Sequence, residues 1–256
     1  MIRVAIVGGA GRMGQAIAEG LARDVDVDLL ALVDPREPPQ LFGATWFRDI
    51  SELTDAVEVV VDFSRLDVAL ATMTWCLEHH VAGVIGTTGL STGDLDTLAT
   101  RVAAHDGRVL VAANFSIGAV LAERFAAMAA AHFDSVEIIE LHHDKKVDAP
   151  SGTSLATASA VARARAQAGL AAIVDVTEHE SAPHPRGAQG PGGVRVHSVR
   201  LPGLVAHQEV IFGGPGEGLT IRHDSYDRAS FVHGVILAVR SILTRPGLTI
   251  GLDELV

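Results

Sequence analysis

The stretch Glu140–Thr153, ELHHDKKVDAPSGT, gathers the residues of this chain best suited to chemistry. His142, His143, Lys145 and Lys146 offer acid–base and cationic groups, and Ser151-Gly152-Thr153 offers a tight polar turn. The residues before it, Ser135–Ile139, alternate and branch like a strand, and Leu155–Gln167 reads as an alanine-rich helix. A strand, a charged connection and a Ser-Gly-Thr helix start put unpaired backbone N–H groups beside cationic side chains. Those N–H groups and the positive end of the helix dipole both favour an anion. The formal net charge is −11, so a cationic cluster runs against the overall balance and points to an anionic small molecule.

Taken singly, each residue has a plainer role. A Lys-Lys pair suits a solvated turn, Asp148 can begin a turn before Ala149-Pro150, and Ser151 or Thr153 can cap a helix. The conjunction is what carries weight. If strand alternation persists through His142 and His143, their side chains face opposite sides, which gives them separate roles.

A second constellation lies at the N-terminus. Ile2–Val7 is a β-branched run fit for a strand buried on both faces, and it leads into GGAGRMG, with Gly9, Gly11 and Gly14 at GxGxxG spacing. Glycines there allow a tight turn, close approach of a pyrophosphate and close helix–strand packing. Met13, Ile17 and Leu21 continue as one face of a helix. A second strand, Asp28–Val33, ends at Asp34, about 20 residues past the last glycine, where an acid hydrogen-bonds an adenine-ribose hydroxyl. Strand, glycines, helix, strand and terminal acid together predict a dinucleotide site.

Alternation continues through strands Glu58–Phe63, Val81–Ile85 and Arg108–Ala112, a helix Leu66–His80, a helix bearing Leu95, Leu98, Ala99 and Val102, and a helix running to Ala131. That pattern predicts a doubly wound parallel sheet of the Rossmann type. Gly86-Thr87-Thr88-Gly89 falls at the carboxyl end of one strand, on the ligand side of such a sheet. The texture changes within Asn114–Phe133. Ile173–Glu180, Val194–Leu201, Leu204–Phe212 and Gly218–Arg222 read as strands of a second, open mixed sheet in an α+β domain. Ser181–Gly193 is too rich in Gly and Pro for an element, and Arg228–Leu243 reads as a helix returning to the first sheet. The expected division is residues 1–113 with 223–256 for dinucleotide binding, and 114–222 for substrate binding and oligomerisation.

The chain has 256 residues, 48% hydrophobic and 20% charged, enough for one large domain or two modest ones. With 4% aromatics and an acidic balance, neither a stacking platform nor a basic stripe suggests nucleic acid. A single cysteine, Cys76, excludes an internal disulfide and suits a reducing cytoplasm. No metal-ligand spacing, signal-peptide layout or membrane-spanning apolar run is evident, so neither a metal nor a membrane is expected.

These motifs resemble those of the dihydrodipicolinate reductase (4-hydroxy-tetrahydrodipicolinate reductase) family of lysine and diaminopimelate biosynthesis. GGAGRMG, GTTG and NFSIG (114–118) are similar to its cofactor-domain motifs, ELHHDKKVDAPSGT to its catalytic signature, and LVAHQEVIFG with LTIRHDSYDR to its later strands. The likeness runs through essentially the whole chain. It implies an NADH- or NADPH-dependent cytoplasmic homotetramer, associating through its open sheets and acting on a cyclic unsaturated dicarboxylate. By position, it implies His142 as the acid/base residue and Lys146 as the proton donor. His143, Gly152 and Thr153 become contacts for substrate carboxylates. Gly8, Gly9, Ala10, Gly11, Arg12, Met13, Asp34, Gly86, Thr87, Thr88, Ala112, Ala113, Asn114 and Phe115 become the nucleotide site. Which of His142 and Lys146 delivers the proton stays open on the sequence, because one loop carries both.

Two other classes share part of this pattern. Another Rossmann amino-acid dehydrogenase would share the first half but has no use for HHDKKVDAPSGT. A non-catalytic redox-sensing protein would keep the glycines and Asp34 but needs neither His142 nor Lys146.

Overall fold

The computed structural model describes residues 1–53 and 56–256. They form two compact units, Met1–Ile117 with Arg228–Val256, and Gly118–Asp227. The chain therefore leaves the first unit after Ile117 and returns at Arg228, where the sequence had suggested changes after residues 113 and 222.

Unit 1 opens with β1 (Ile2–Val7), α1 (Arg12–Ala22), β2 (Val27–Val33) and β3 (Thr45–Phe47). It continues with β4 (Val59–Asp62), α2 (Leu66–Glu78), β5 (Ala82–Ile85), α3 (Thr92–Ala104) and β6 (Arg108–Val111). Unit 2 holds α4 (Ile117–Ala129, its first residue still in unit 1), β7 (Ser135–His142), α5 (Gly152–Gln167), β8 (Ala188–Gln189), β9 (Arg195–Arg200), β10 (Ala206–Gly214) and β11 (Glu217–Ser225). The chain then completes unit 1 with α6 (Ala229–Ile242) and β12 (Gly247–Ile250).

The unit 1 sheet has the order β12-β6-β5-β4-β1-β2-β3, and every pairing is parallel. β4 and β5 are buried along their length, and β1 from Val4 to Val7, because helices cover both faces, which is why these strands read as largely apolar runs. Trp75, Cys76 and Val68 of α2 pack with Ala5, Val33 and Val60 on one face, and Met73, Leu77, Leu98 and Val102 extend that layer over β5 and β6. α1 and α6 run together elsewhere in the unit, so close that a Cβ at Gly20 would lie 2.1 Å from a Val232 methyl. The strand order reverses between β1 and β4, and in such sheets ligands bind beyond the carboxyl ends of the strands at that reversal.

Unit 2 is a mixed sheet of order β11-β10-β7-β9-β8, parallel only between β7 and β9. Val136 and Ile138 of β7, Val196 of β9 and Val210 and Phe212 of β10 point to one face, against Ala126 and Ala130 of the α4 end and Ala158 and Val161 of α5.

Several expectations need correction. β3 and β12 extend the first sheet from five strands to seven. Both are short edge strands of three and four residues, set among turn residues that hide their pattern. Ile173–Glu180, read as a strand, pairs with nothing in a ladder. Its Asp175 accepts from the Thr177 N–H and is held by Arg195 at 2.7 Å, while Val174 and Val176 stand exposed. Side-chain ion pairs pin the segment where β-branching had suggested backbone pairing. The Gly/Pro-rich 181–193 stretch, expected to carry no element, contains β8 and a single 3₁₀ turn at Pro191–Gly193.

Candidate active site

In unit 1 the glycine turn follows β1 directly. Gly8 has φ +83° and its N–H donates to the Val33 carbonyl at 2.9 Å. A Cβ at Gly14 would lie 2.1 Å from the Gly8 carbonyl oxygen, so only glycine lets α1 start this close to the turn. Gly11 is the N-cap and supplies no side-chain acceptor, so the first N–H groups of α1, from the exposed Arg12 and half-buried Met13, are left for an external anion. The Gly9 carbonyl and Gln40 carbonyl both accept from the Gln15 side-chain amide, at 2.7 and 3.0 Å. Gln15, which the sequence reading passed over, thus ties the glycine turn to the Pro-rich loop.

Asp34 ends β2 as expected and is nearly buried. Its carboxylate accepts from the Ala10 N–H at 3.1 Å and the Arg36 N–H at 3.0 Å, and the Arg36 guanidinium comes within 3.6 Å. Asp34 lines a cavity of about 660 Å³ together with Gly8, Gly11, Arg36, Arg48, Ile50 and Val68. An uncapped helix start, an ordered carboxylate and a cavity with apolar and cationic walls suit a dinucleotide.

Asp62, also absent from the sequence reading, is fully buried at the end of β4. One oxygen accepts from the Ser64 N–H at 2.8 Å, the Ser64 hydroxyl at 2.6 Å and the Thr87 hydroxyl at 3.0 Å; the other accepts from the Thr72 hydroxyl at 2.6 Å. Gly86 donates its N–H to the Asp62 carbonyl at 2.8 Å. The GTTG turn is therefore fastened to the end of β4, with Thr87 buried and Thr88 exposed. Ala112 is buried and donates to Ile85, and Ala113 is exposed. The Asn114 side chain accepts from the Ser116 N–H, and the buried Phe115 ring packs on Phe63 at 5.2 Å between centroids.

In unit 2 the Glu140–Thr153 stretch begins at the end of β7. Strand alternation places Glu140 and His142 on the same face as Val136 and Ile138, and the register sets Glu140 opposite Ser198 and His142 opposite Arg200. His142 Nδ1 lies 2.5 Å from Glu140 Oε2. Arg200 grips the Glu140 carboxylate with both terminal nitrogens at 2.8 Å and reaches the Asp148 carbonyl at 2.7 Å. Burial alone would raise the Glu140 carboxyl, but hydrogen bonds from Arg200, Ser198 and His142 outweigh it and hold the group below its ordinary value. Burial pushes the His142 imidazole below its ordinary value, the Lys146 and Arg200 charges add to that, and the pull of Glu140 only partly opposes it.

β7 ends at His142, and His143 stands exposed in the connection that follows. Lys145 is exposed, whereas Lys146 is half-buried and pairs with Asp148. The connection closes at Ser151, which caps α5 by accepting from the Ser154 N–H at 3.2 Å. Helix geometry leaves the Gly152 and Thr153 N–H groups without intrahelical partners. A Cβ at Gly152 would meet no atom within 4 Å, so the space over this helix start is open. His142, Lys146, Gly152 and Thr153 thus fall in one short connection anchored by Glu140 and Arg200. Among the described residues, no cluster is suited to a metal ion and no helix is long and apolar enough to cross a membrane.

Comparison with known proteins matches the chain as a whole to one family. Family profiles described as "Dihydrodipicolinate reductase, N-terminus" and "Dihydrodipicolinate reductase, C-terminus" match residues 2–115 and 118–256. The chain belongs to the dihydrodipicolinate reductase family. A 4-hydroxy-tetrahydrodipicolinate reductase of Nocardia farcinica is 49% identical, over 98% of this chain and 97% of that protein. One from Cutibacterium acnes is 46% identical over 100% and 98%. A dipicolinate-bound dihydrodipicolinate reductase from Paenisporosarcina sp. TG-14 superposes with a TM-score of 0.88, at 37% identity and 100% coverage of both chains. Dihydrodipicolinate reductases draw on a nicotinamide cofactor, which the unit 1 crevice suits.

Proposed function

We propose that this chain reduces 4-hydroxy-tetrahydrodipicolinate to tetrahydrodipicolinate in lysine and diaminopimelate biosynthesis. The observation that carries this reading is the His142–Thr153 connection, which joins an imidazole, an ammonium group and an open helix start in about a dozen residues. Such a set suits a small dianion that takes up hydride and then a proton. The bound nicotinamide supplies the hydride. In balance, substrate, NAD(P)H and one proton give tetrahydrodipicolinate, NAD(P)⁺ and water.

Within that reaction the Gly152 and Thr153 N–H groups hold one carboxylate at the positive end of α5, and His143 and Lys146 face the other. Lys146 offsets the negative charge that hydride addition leaves on the ring and gives up a proton to it. The lowered affinity of His142 for a proton supports Lys146 as the donor, because His142 is then neutral at working pH. His142 in turn offers a ring nitrogen as acceptor.

In unit 1 the proposed nucleotide contacts are Gly8 through Met13 for the pyrophosphate, Asp34 for the adenine ribose, and Gly86–Thr88 with Ala112–Phe115 further along. NADH and NADPH both serve, with a preference for NADH. Asp34 accepts the ribose hydroxyls, and the mostly exposed Arg36 can leave it to meet a 2′-phosphate. The enzyme works in the cytoplasm as a homotetramer built on the sheet of β7–β11. That sheet is covered by α4 and α5 on one face, while Ile139 and Ile211 lie on the other.

The direct test is oxidation of NADH in the presence of the condensation product of pyruvate and aspartate semialdehyde. Oxidation that depends on that product is expected. None from the folded protein, with either NADH or NADPH, would overturn the reading.

A further inference from the structure

We infer that Glu140 is a positioning residue that sets both halves of the unit 2 site at once, one oxygen fixing the ring of His142 and the other fixing the start of α5. The inference rests on the reading of His142–Thr153 as the dicarboxylate site. Glu140 lies on the apolar face of β7, fully buried, where an unpaired carboxylate would be strongly disfavoured. Arg200, one strand away on β9, meets it with a two-pronged grip, one terminal nitrogen 2.8 Å from each oxygen. An arginine alone would suffice to neutralise a structural glutamate. Here each oxygen keeps a second partner: Oε2 faces His142 Nδ1 at 2.5 Å, and Oε1 accepts from the Ser151 N–H at 3.2 Å.

The consequence for His142 follows from counting protons. An ionised carboxylate has none to give, so the hydrogen in the Glu140–His142 contact belongs to Nδ1. In the neutral ring Nε2 then carries a lone pair, and His142 meets its ligand as an acceptor. The consequence for α5 is geometric. Ser151 caps the helix with its hydroxyl while its own N–H is spent on Glu140. The direction of the next two N–H groups, those of Gly152 and Thr153, is thereby fixed relative to the imidazole. Acid–base chemistry and carboxylate binding share one anchor.

The first test uses the wild-type protein. A long-range ¹⁵N–¹H spectrum of histidine-labelled protein at neutral pH should show His142 neutral with hydrogen on Nδ1, the peak being assigned by its loss in His142→Asn. Hydrogen on Nε2, or a charged ring, would overturn the inference. The second test is a mutant cycle. Glu140→Gln should lower kcat by roughly 10–10²-fold, toward the low end for acid–base groups because it acts through another residue. In a His142→Asn background it should change kcat by less than about threefold, since coupled residues are not additive. Full additivity would remove the His142 arm. Glu140→Gln should also weaken pyridine-2,6-dicarboxylate binding several-fold in either background, and unchanged affinity would remove the α5 arm. If Glu140→Gln does not fold, Glu140→Asp serves the same cycle, as it keeps the charge but is one methylene too short to reach both partners. A wild-type protein without reductase activity would sink the proposed function while leaving the spectrum free to support or overturn the Glu140–His142 relationship.

Discussion

The Lys146 ammonium group lies 2.8 and 2.9 Å from the two carboxylate oxygens of Asp148, two residues further along the same connection. The hydrogen bond from Lys146 is the main reason the Asp148 carboxyl sits below its ordinary value. Asp148 is more than half exposed, and exposed ion pairs contribute only about 0–1 kcal/mol. Lys146 can therefore leave Asp148 at little cost, as the proposed exchange for a substrate anion requires. Lys146→Ala should lower kcat by roughly 10²–10⁴-fold with an unchanged melting temperature. Lys145→Ala, at the exposed neighbour, should leave kcat nearly intact. Wild-type turnover in folded Lys146→Ala protein would remove Lys146 from the mechanism.

The pH dependence should carry the signature of His142. Burial, with the Lys146 and Arg200 charges, lowers its proton affinity below the ordinary 6.5, and Glu140 opposes them. If the neutral ring is the active form, kcat/KM should fall on the acid side with a midpoint below 6.5. Removing the negative charge in Glu140→Gln should move that midpoint lower still. Stability follows the same sign: a histidine with a depressed folded-state value, like the depressed Glu140, contributes stability that is lost as pH falls through the folded value. An acid limb above 6.5 in the wild-type profile would contradict this assignment.

Cofactor choice should depend on Asp34. On the proposed reading, Asp34→Ala removes the acceptor for a ribose hydroxyl and frees Arg36, so the NADH/NADPH ratio of kcat/KM should fall. A ratio that does not move would place discrimination elsewhere.

Asp62 should matter for stability and for the nucleotide site together. Asp62→Ala leaves Ser64, Thr72 and Thr87 without their buried acceptor, and each unsatisfied group costs about 1–3 kcal/mol. At roughly 2–4 °C per kcal/mol for a chain of this size, the melting temperature should drop by about 6 °C or more. Thr87→Val should cost less stability but raise KM for NADH, because it loosens the GTTG turn. Melting curves and cofactor titrations on the two variants check both effects.

Ligand binding should require two carboxylates. At a hundredfold excess over Kd, a ligand specific to the folded state stabilises it by about 2.7 kcal/mol, a visible thermal shift. Pyridine-2,6-dicarboxylate should shift melting more than pyridine-2-carboxylate, and Thr153→Val should reduce the difference. Equal shifts at equal concentration would rule out a paired-anion site.

Much of this was legible in the sequence because it rests on local rules. β1, the glycine turn, α1 and Asp34 follow from apolar runs, glycine spacing and a terminal acid, and the connection after β7 stands out by its charge. What was missed depends on partners distant along the chain. Glu140 interrupts the alternation Val136, Ile138 on a core-facing side, and Asp62 ends the buried run Val59–Val61. An acid on an apolar face is a signal that a partner exists, but Arg200 and Thr87 are too far along the chain to be named from it. Ile173–Glu180 failed in the opposite direction, since β-branching gives an extended chain but cannot supply a neighbouring strand.

The division of the chain bears on how it is made. Unit 2 is one continuous segment, whereas unit 1 needs Arg228–Val256 to supply α6 and the edge strand β12. During synthesis the glycine turn emerges long before α6 and β12, so its sheet stays unfinished until Arg228–Val256 has left the ribosome. Unit 2 has its whole sequence available earlier. A chain stopped just after Asp227 would retain every residue of the His142–Thr153 connection while leaving the α1 flank of unit 1 without α6. Premature termination should therefore abolish cofactor binding before it disturbs the anion site.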